Sequence, residues 1–169
     1  GFCLVGSEMC IRDRIKGTER VLCLDSKTGK TKWSHQYQSE YSSVFIYAIG
    51  PRTTPLVHDG FVFTLGAEGQ LNAYVAESGT LVWSKNFIKD FGLENPEWGT
   101  ACHPIIYNDS LICTIGGKGQ TLVAFNYKTG KEKWKILPKY WLDKAGAKWE
   151  LGEKILTSDI NSQSRLAKE

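Results

Sequence analysis

Catalysis and metal binding need donors, acceptors and nucleophiles that converge, and this sequence spreads its candidates apart. The three histidines are His35, His58 and His103. They form no i, i+4 pair, and no glutamate accompanies them as in a metalloprotease motif. Roles in turns or at the surface are expected for all three. Asp59, Asp90 and Asp109 fall in links and turns with no ligand cluster around them. Calcium takes about six to eight oxygens from a converging set, and no run of this chain concentrates them. No Gly-x-Ser-x-Gly elbow is present for a serine nucleophile. Gly116-Gly117-Lys118-Gly119 lacks the spacing and the following Ser/Thr of a phosphate loop, and it joins strand to strand. Of the five cysteines, Cys23 and Cys113 sit in apolar runs, as buried small hydrophobes do. No two cysteines are adjacent, and their spacing matches no zinc pattern.

Binding chemistry has better candidates. Segment 87–103 places Phe87, Phe91, Pro96 and Trp98 around Asp90, Glu94 and Glu97. Link 50–55 carries Arg52, whose guanidinium suits an anion or carboxylate. Loops carry variable chemistry on a rigid scaffold, so Arg52, Glu94 and Trp98 are the candidate binding residues. Each also has a plainer reading: the aromatics pin their loop to the scaffold, and Arg52 fixes its own.

The scaffold announces itself by repetition. Thr28-Gly29-Lys30-Thr31-Lys32-Trp33 returns as Ser78-Gly79-Thr80-Leu81-Val82-Trp83 and as Thr129-Gly130-Lys131-Glu132-Lys133-Trp134, with the tryptophans 50 and 51 residues apart. Such a period marks a repeat architecture. Before each glycine runs a short apolar stretch: 21–25, 71–75 and 122–126. The second and third units add 61–66 and 111–116, and earlier still 55–57 and 104–106, each closed by Asp59-Gly60 or Asn108-Asp109. Four short runs rich in Val, Ile, Leu, Phe and Tyr, punctuated by Gly, Asn and Asp, predict four antiparallel strands per unit. That is the pattern of a β-propeller blade. Gly29, Trp33, Gly79, Trp83, Gly130 and Trp134 are expected to hold the blades together, the indoles as apolar contacts between sheets.

The predicted fold is all-β, a partial propeller of about two and a half blades. The half blade spans 15–37, and complete blades span 51–87 and 100–137. A closed ring needs about four to eight blades, so the chain reads as a fragment of a larger protein. Residues 1–14 look foreign to the repeat and resemble a translated sequencing adapter, and are set apart from the fold on that ground. Residues 138–169 lack the turn phrase; 138–156 read as one or two short helices.

The formal net charge is +3, from 21 Lys+Arg and 18 Asp+Glu. That balance argues against nucleic acid as a partner. Lysines 27, 30, 32, 128, 131, 133 and 135 flank two turns and read as a solvated rim. No apolar run approaches the ~18 residues of a membrane-spanning helix.

The repeat resembles that of pyrroloquinoline-quinone-type (PQQ-like) propellers. The residues that carry the resemblance are Leu24-Asp25 through Trp33 and Asn126 through Trp134. The second copy is weaker, with Val75 and Ser78 where that family favours Asp and Thr. Segments 50–55, 65–69 and 91–99 resemble secreted bacterial propeller proteins, similar to the propeller scaffold of the outer-membrane β-barrel assembly machine. The resemblance covers about residues 17–135. It implies a periplasmic or exported, non-catalytic scaffold without a cofactor, binding a protein or small ligand on the propeller face. The alternative it implies is a fragment of a quinone-dependent alcohol or sugar dehydrogenase using PQQ and calcium. That enzyme family's adjacent-cysteine disulfide has no counterpart in this sequence.

Overall fold

In a computed structural model, residues 2–5, 8–41, 50–94, 99–116 and 121–136 are described. They form three four-stranded antiparallel sheets. The first contains β1 (Phe2–Val5), β2 (Glu8–Ile15), β3 (Thr18–Asp25) and β4 (Thr31–Gln38). The second contains β5 (Leu56–His58), β6 (Phe61–Leu65), β7 (Gln70–Val75) and β8 (Leu81–Asn86). After the short helix α1 (Phe87–Phe91) come β9 (Ile105–Tyr107), β10 (Ser110–Thr114), β11 (Leu122–Asn126) and β12 (Glu132–Ile136). Every sheet is a meander in which each strand pairs with its chain neighbours. These are propeller blades, as the sequence pattern predicts.

Local chemistry explains the hairpins. Asp59 and Gly60 both adopt positive φ, 45° and 76°. That matches a two-residue turn whose twist suits the flanking strands. The turn between the third and fourth strands is held by a side chain. Asp25 Oδ1 accepts from Lys27 N at 3.1 Å and from Thr28 N and Oγ1, both at 2.8 Å. Asn126 Oδ1 repeats the pattern with Lys128 N at 3.2 Å, Thr129 N at 3.0 Å and Thr129 Oγ1 at 3.1 Å. The second unit has Val75 there, and Ser78 and Thr80 bond each other instead, at 2.8 Å. In all three sheets the register slips at one place, between Cys23 and Leu24, Ala73 and Tyr74, and Ala124 and Phe125. Each bulge lies beside the residue paired with the repeated tryptophan, where a bulge re-aims the strand.

The core lies between sheets. Phe63, Leu65, Leu71, Ala73 and Trp83 of the second sheet pack with Leu111, Cys113, Val123, Phe125 and Tyr127 of the third. A smaller apolar cluster joins Cys10, Val21, Cys23 and Trp33 to Val62, Tyr74 and Ala76. Strands β1 and β5 approach each other across the first junction.

One expectation is corrected. The first blade is not a half blade over 15–37. Residues 2–5 and 8–14, set apart in the sequence reading, supply its first two strands together with Ile15, with Glu8 to Ile15 paired along Asp25 to Thr18. The physical reason is the edge of β3. Its row of backbone donors and acceptors would otherwise be unpaired. Residues 9–15 also present Cys10 and Arg12 to the buried side. The expected helices over 138–156 lie outside the described residues.

Candidate binding site at the blade junctions and face loops

The six repeated residues divide between neighbouring blades rather than within one. Trp33 Nε1 donates to the Ala76 carbonyl at 2.7 Å, and its ring covers Gly79 of the next blade. Trp83 Nε1 donates to the Tyr127 carbonyl at 2.8 Å, and its ring covers Gly130. An ideal β-carbon on Gly79 or Gly130 would fall 2.5 or 2.7 Å from indole carbons, so the approach requires glycine. Gly29 has the same kind of backbone, φ 69°, with nothing among the described residues within 4 Å of such a carbon. Trp134 is half-buried.

The histidines sit at these junctions too. His35 packs on Tyr74 with ring centroids 4.7 Å apart and planes tilted by 32°, and its Nε2 lies 2.5 Å from the Gly79 carbonyl. His58 meets Tyr127 edge-on at 5.1 Å. His103 Nε2 accepts from the Thr54 backbone N–H at 3.2 Å, which leaves the ring proton of the neutral form on Nδ1. Asp59 accepts from the Tyr127 hydroxyl at 2.6 Å and pairs with Lys128 at 3.1 Å. Those donors, Tyr127 first, hold its carboxyl below the usual value.

Sequence reasoning missed a buried polar junction between the first two blades. Arg12 and Glu19 pair at 2.8 Å with side chains 1% exposed. Glu19 also accepts from the Tyr37 hydroxyl at 2.6 Å and from Ala67 N at 3.2 Å. Arg12 donates further to Thr53 Oγ1 at 3.0 Å and to the Leu65 carbonyl. Burial pushes the Tyr37 phenol well above its ordinary range, and the Glu19 charge adds to it. A charged pair buried this deeply needs such extra partners. No sequence motif signals it, because its members come from β2, β3, β4, β6 and two distant links.

The face-loop candidates are partly assembled. Arg52 Nη2 donates to the Tyr41 hydroxyl at 3.4 Å. Tyr41 in turn lies against Gly99, whose β-carbon would fall 3.1 Å from the Tyr41 ring. The Thr54–His103 bond draws links 50–55 and 99–104 together, so Tyr41, Arg52, Thr54, Gly99 and His103 form one patch before the first strands of the second and third blades. Glu94 is exposed, and Trp98 lies outside the described residues. The rest of the insertion follows the plainer reading. Asn86 caps α1 by accepting from Lys89 N at 2.9 Å, and Phe87 and Leu93 are buried in the core. Phe91 packs edge-on against Phe125 at 5.7 Å.

Among the described residues, no three His, Cys, Asp or Glu side chains converge as a metal site. Cys113 is buried and its thiol is pushed up to about 12.

Three meander blades locked by indoles over turn glycines define a propeller of PQQ-like repeats. The family model described as outer membrane protein assembly factor BamB matches residues 13–142, and the chain belongs to that family. The match begins inside β2, so β1 and the first part of β2 lie outside it. None of the curated proteins matches the sequence. Solved structures show the same fold at low identity. A europium-containing methanol dehydrogenase aligns at 19% identity and TM-score 0.57, covering 80% of this chain and 24% of that one. BamB from Moraxella catarrhalis aligns at 20% and 0.50, covering 77% and 33%. The quinohemoprotein alcohol dehydrogenase from Comamonas testosteroni aligns at 19% and 0.56, covering 79% and 20%. The chain thus spans a third or less of these three proteins. No helix among the described residues is long and apolar enough to cross a membrane.

Proposed function

We propose that this chain is part of a non-catalytic propeller scaffold that binds a protein partner in a periplasmic or otherwise exported compartment. The family match over residues 13–142 carries the reading. The geometry supports it. Trp33, Trp83, His35 and His58 are engaged in contacts within and between blades, whereas Arg52, Glu94 and His103 stand on loops where a partner can reach them. The partner class that the family description names is an outer-membrane protein in assembly.

The test is a titration of the chain with an unfolded outer-membrane β-barrel protein held in urea and diluted into buffer, followed by anisotropy. Saturable binding that weakens about tenfold in Arg52→Ala or His103→Ala supports the reading, a loss on the scale of one lost hot-spot contact. Absence of binding counts against it. Dye reduction in the presence of pyrroloquinoline quinone, calcium and an alcohol would replace the scaffold reading with the dehydrogenase one.

A further inference from the structure

The two junctions between neighbouring blades share one geometry but not one chemistry. Strand pairing aligns the second and third blades residue by residue, with Ala73–Trp83 matching Ala124–Trp134. By strand alternation, the face turned toward the preceding blade carries Val62, Thr64, Asn72 and Tyr74 in the second blade. The matching residues of the third are Leu111, Cys113, Val123 and Phe125. The cross-strand row Thr64, Asn72, Ser84 is therefore polar throughout, where its counterpart runs Cys113, Val123, Lys135. Thr64 is 1% exposed and Asn72 5%. Polar groups that deep are costly unless partnered. The blade fold does not demand them, since the third blade forms with Cys113 and Val123 in both buried places.

This polar row borders a cavity of about 300 Å³ between β4 and the second blade. His35 and Tyr37 form one wall, and Gln70, Asn72, Tyr74 and Ser84 the other. The second wall is set in advance. Gln70 Nε2 donates to Ser84 Oγ at 2.6 Å and to Asn72 Oδ1 at 3.1 Å, and Ser84 Oγ donates to Asn72 Oδ1 at 2.7 Å. Asn86 Nδ2 donates to Gln70 Oε1 at 3.1 Å and fixes that amide. With Asn72 Oδ1 taken twice, its N–H groups are what the side chain offers. His35 Nε2 faces the Gly79 carbonyl and so carries the proton, which makes Nδ1 of the neutral ring an acceptor. Thr64 Oγ1, beside the Tyr74 phenol, makes no well-directed hydrogen bond among the described residues. The wall side chains include no Asp, Glu, Lys or Arg. The nearby Arg12 and Glu19 neutralise each other, with side chains 1% exposed.

We propose that this cavity between the first two blades binds a neutral sugar unit. Sugar hydroxyls donate and accept, and so match carboxamides, a serine hydroxyl and a neutral imidazole. The rings of His35 and Tyr74 give the polarised C–H groups of a pyranose an electron-rich face to pack on. A phosphate or carboxylate would call for a lysine or arginine in the wall, and a cation for a carboxylate. The volume stands at the lower end of the range for ligand pockets, which suits one or two sugar rings rather than a folded partner. The cavity shares no residue with the face-loop patch, so it does not depend on the scaffold reading.

Proton–nitrogen correlation NMR on the full chain tests this, with glucose, N-acetylglucosamine and maltose as probes at millimolar concentrations. At least one should give saturable shifts at the backbone amides of His35, Asn72 and Ser84 and at the side-chain amides of Gln70 and Asn72. Asn72→Val and Ser84→Lys install the third blade's own residues at those positions, and each should raise the dissociation constant about tenfold or more. Ser84 is exposed, so Ser84→Lys keeps the test decisive if Asn72→Val disturbs folding. Far-ultraviolet circular dichroism of the variant used should match the parent. No saturable shift with any of the three sugars overturns the proposal, as does an affinity unchanged in both variants. Gluconate bound as tightly as glucose overturns it too, because the site would then not select a neutral ligand. N-acetyl-trialanine amide shifting the same amides at lower concentration assigns the cavity to an extended peptide and overturns the sugar.

Discussion

Trp33 occupies the space that a β-carbon on Gly79 would need, 2.5 Å from the indole Cδ2. The repeated glycine and tryptophan are therefore partners across blades and not within one. Gly79→Ala meets two costs. The left-handed backbone, φ 72°, is unfavourable for alanine by roughly 1 kcal/mol. Displacing a packed indole adds about 1–3 kcal/mol. Gly29 has nearly the same φ, 69°, with nothing above it among the described residues, so Gly29→Ala costs only about 1 kcal/mol. Urea unfolding at low protein concentration should separate the two variants by at least about 1 kcal/mol. Equal losses would mean that the indole does not depend on the glycine.

The indole N–H is the second half of the lock. In Trp83→Phe the ring remains largely apolar, but the Tyr127 carbonyl loses its donor, now 2.8 Å away. A buried acceptor left unpaired costs about 1–3 kcal/mol. Loss of ring volume adds to it, so a total of about 2–4 kcal/mol is expected by denaturant unfolding. Trp134→Phe, with no such bond among the described residues, should cost less.

How much of this was legible depends on whether a feature is local. The blades were, because strand alternation, the Asp59-Gly60 turn and the Gly-x-x-x-Trp phrase each lie in one short stretch. The partner of each indole was not, since Trp33 and Gly79 are 46 residues apart and the phrase looks the same whichever blade its glycine serves. The Arg12–Glu19–Tyr37 junction was illegible for a stronger reason. Its residues have no periodic spacing and become neighbours only after two sheets stack. At the face loops, residue type was enough to single out Arg52, but its contact with Tyr41 and the Thr54–His103 bond needed the fold.

Tyr37 makes a pH signature. Its phenol is buried and donates to Glu19 at 2.6 Å, and burial raises its pKa above the ordinary phenol value of about 10. Below that value both folded and unfolded chains keep the proton, so the contribution is intact. Above it the unfolded chain ionises first, and stability falls as pH rises. Each pH unit in this window costs about 1.4 kcal/mol per such group. Tyr74 and Tyr127 are raised as well, Tyr74 mainly by burial and Tyr127 mainly by its bond to Asp59. Tyr37→Phe should therefore flatten the alkaline limb in part, read from urea midpoints above about pH 10, while lowering the neutral-pH plateau by about 1–3 kcal/mol through the donor Glu19 loses. An unchanged alkaline slope would show that Tyr37 ionises as freely in the folded chain as in the unfolded one.

The first two strands carry the sharpest question about the molecule, because the family match starts at residue 13 while the sheet starts at residue 2. Deleting residues 1–14 removes β1 and nearly all of β2, uncovers the edge of β3 and strips Arg12 from Glu19. A buried carboxylate that loses its charge partner costs about 3–5 kcal/mol. The Tyr37 and Ala67 donors that remain offset part of this. Hydrogen exchange should show amides 19–25 losing protection, while amides 71–75 and 122–126, on either side of the Trp83–Gly130 lock, stay slow. If amides 19–25 remain protected in the truncated chain, the third strand does not rely on the first two, and the blade begins where the family match does.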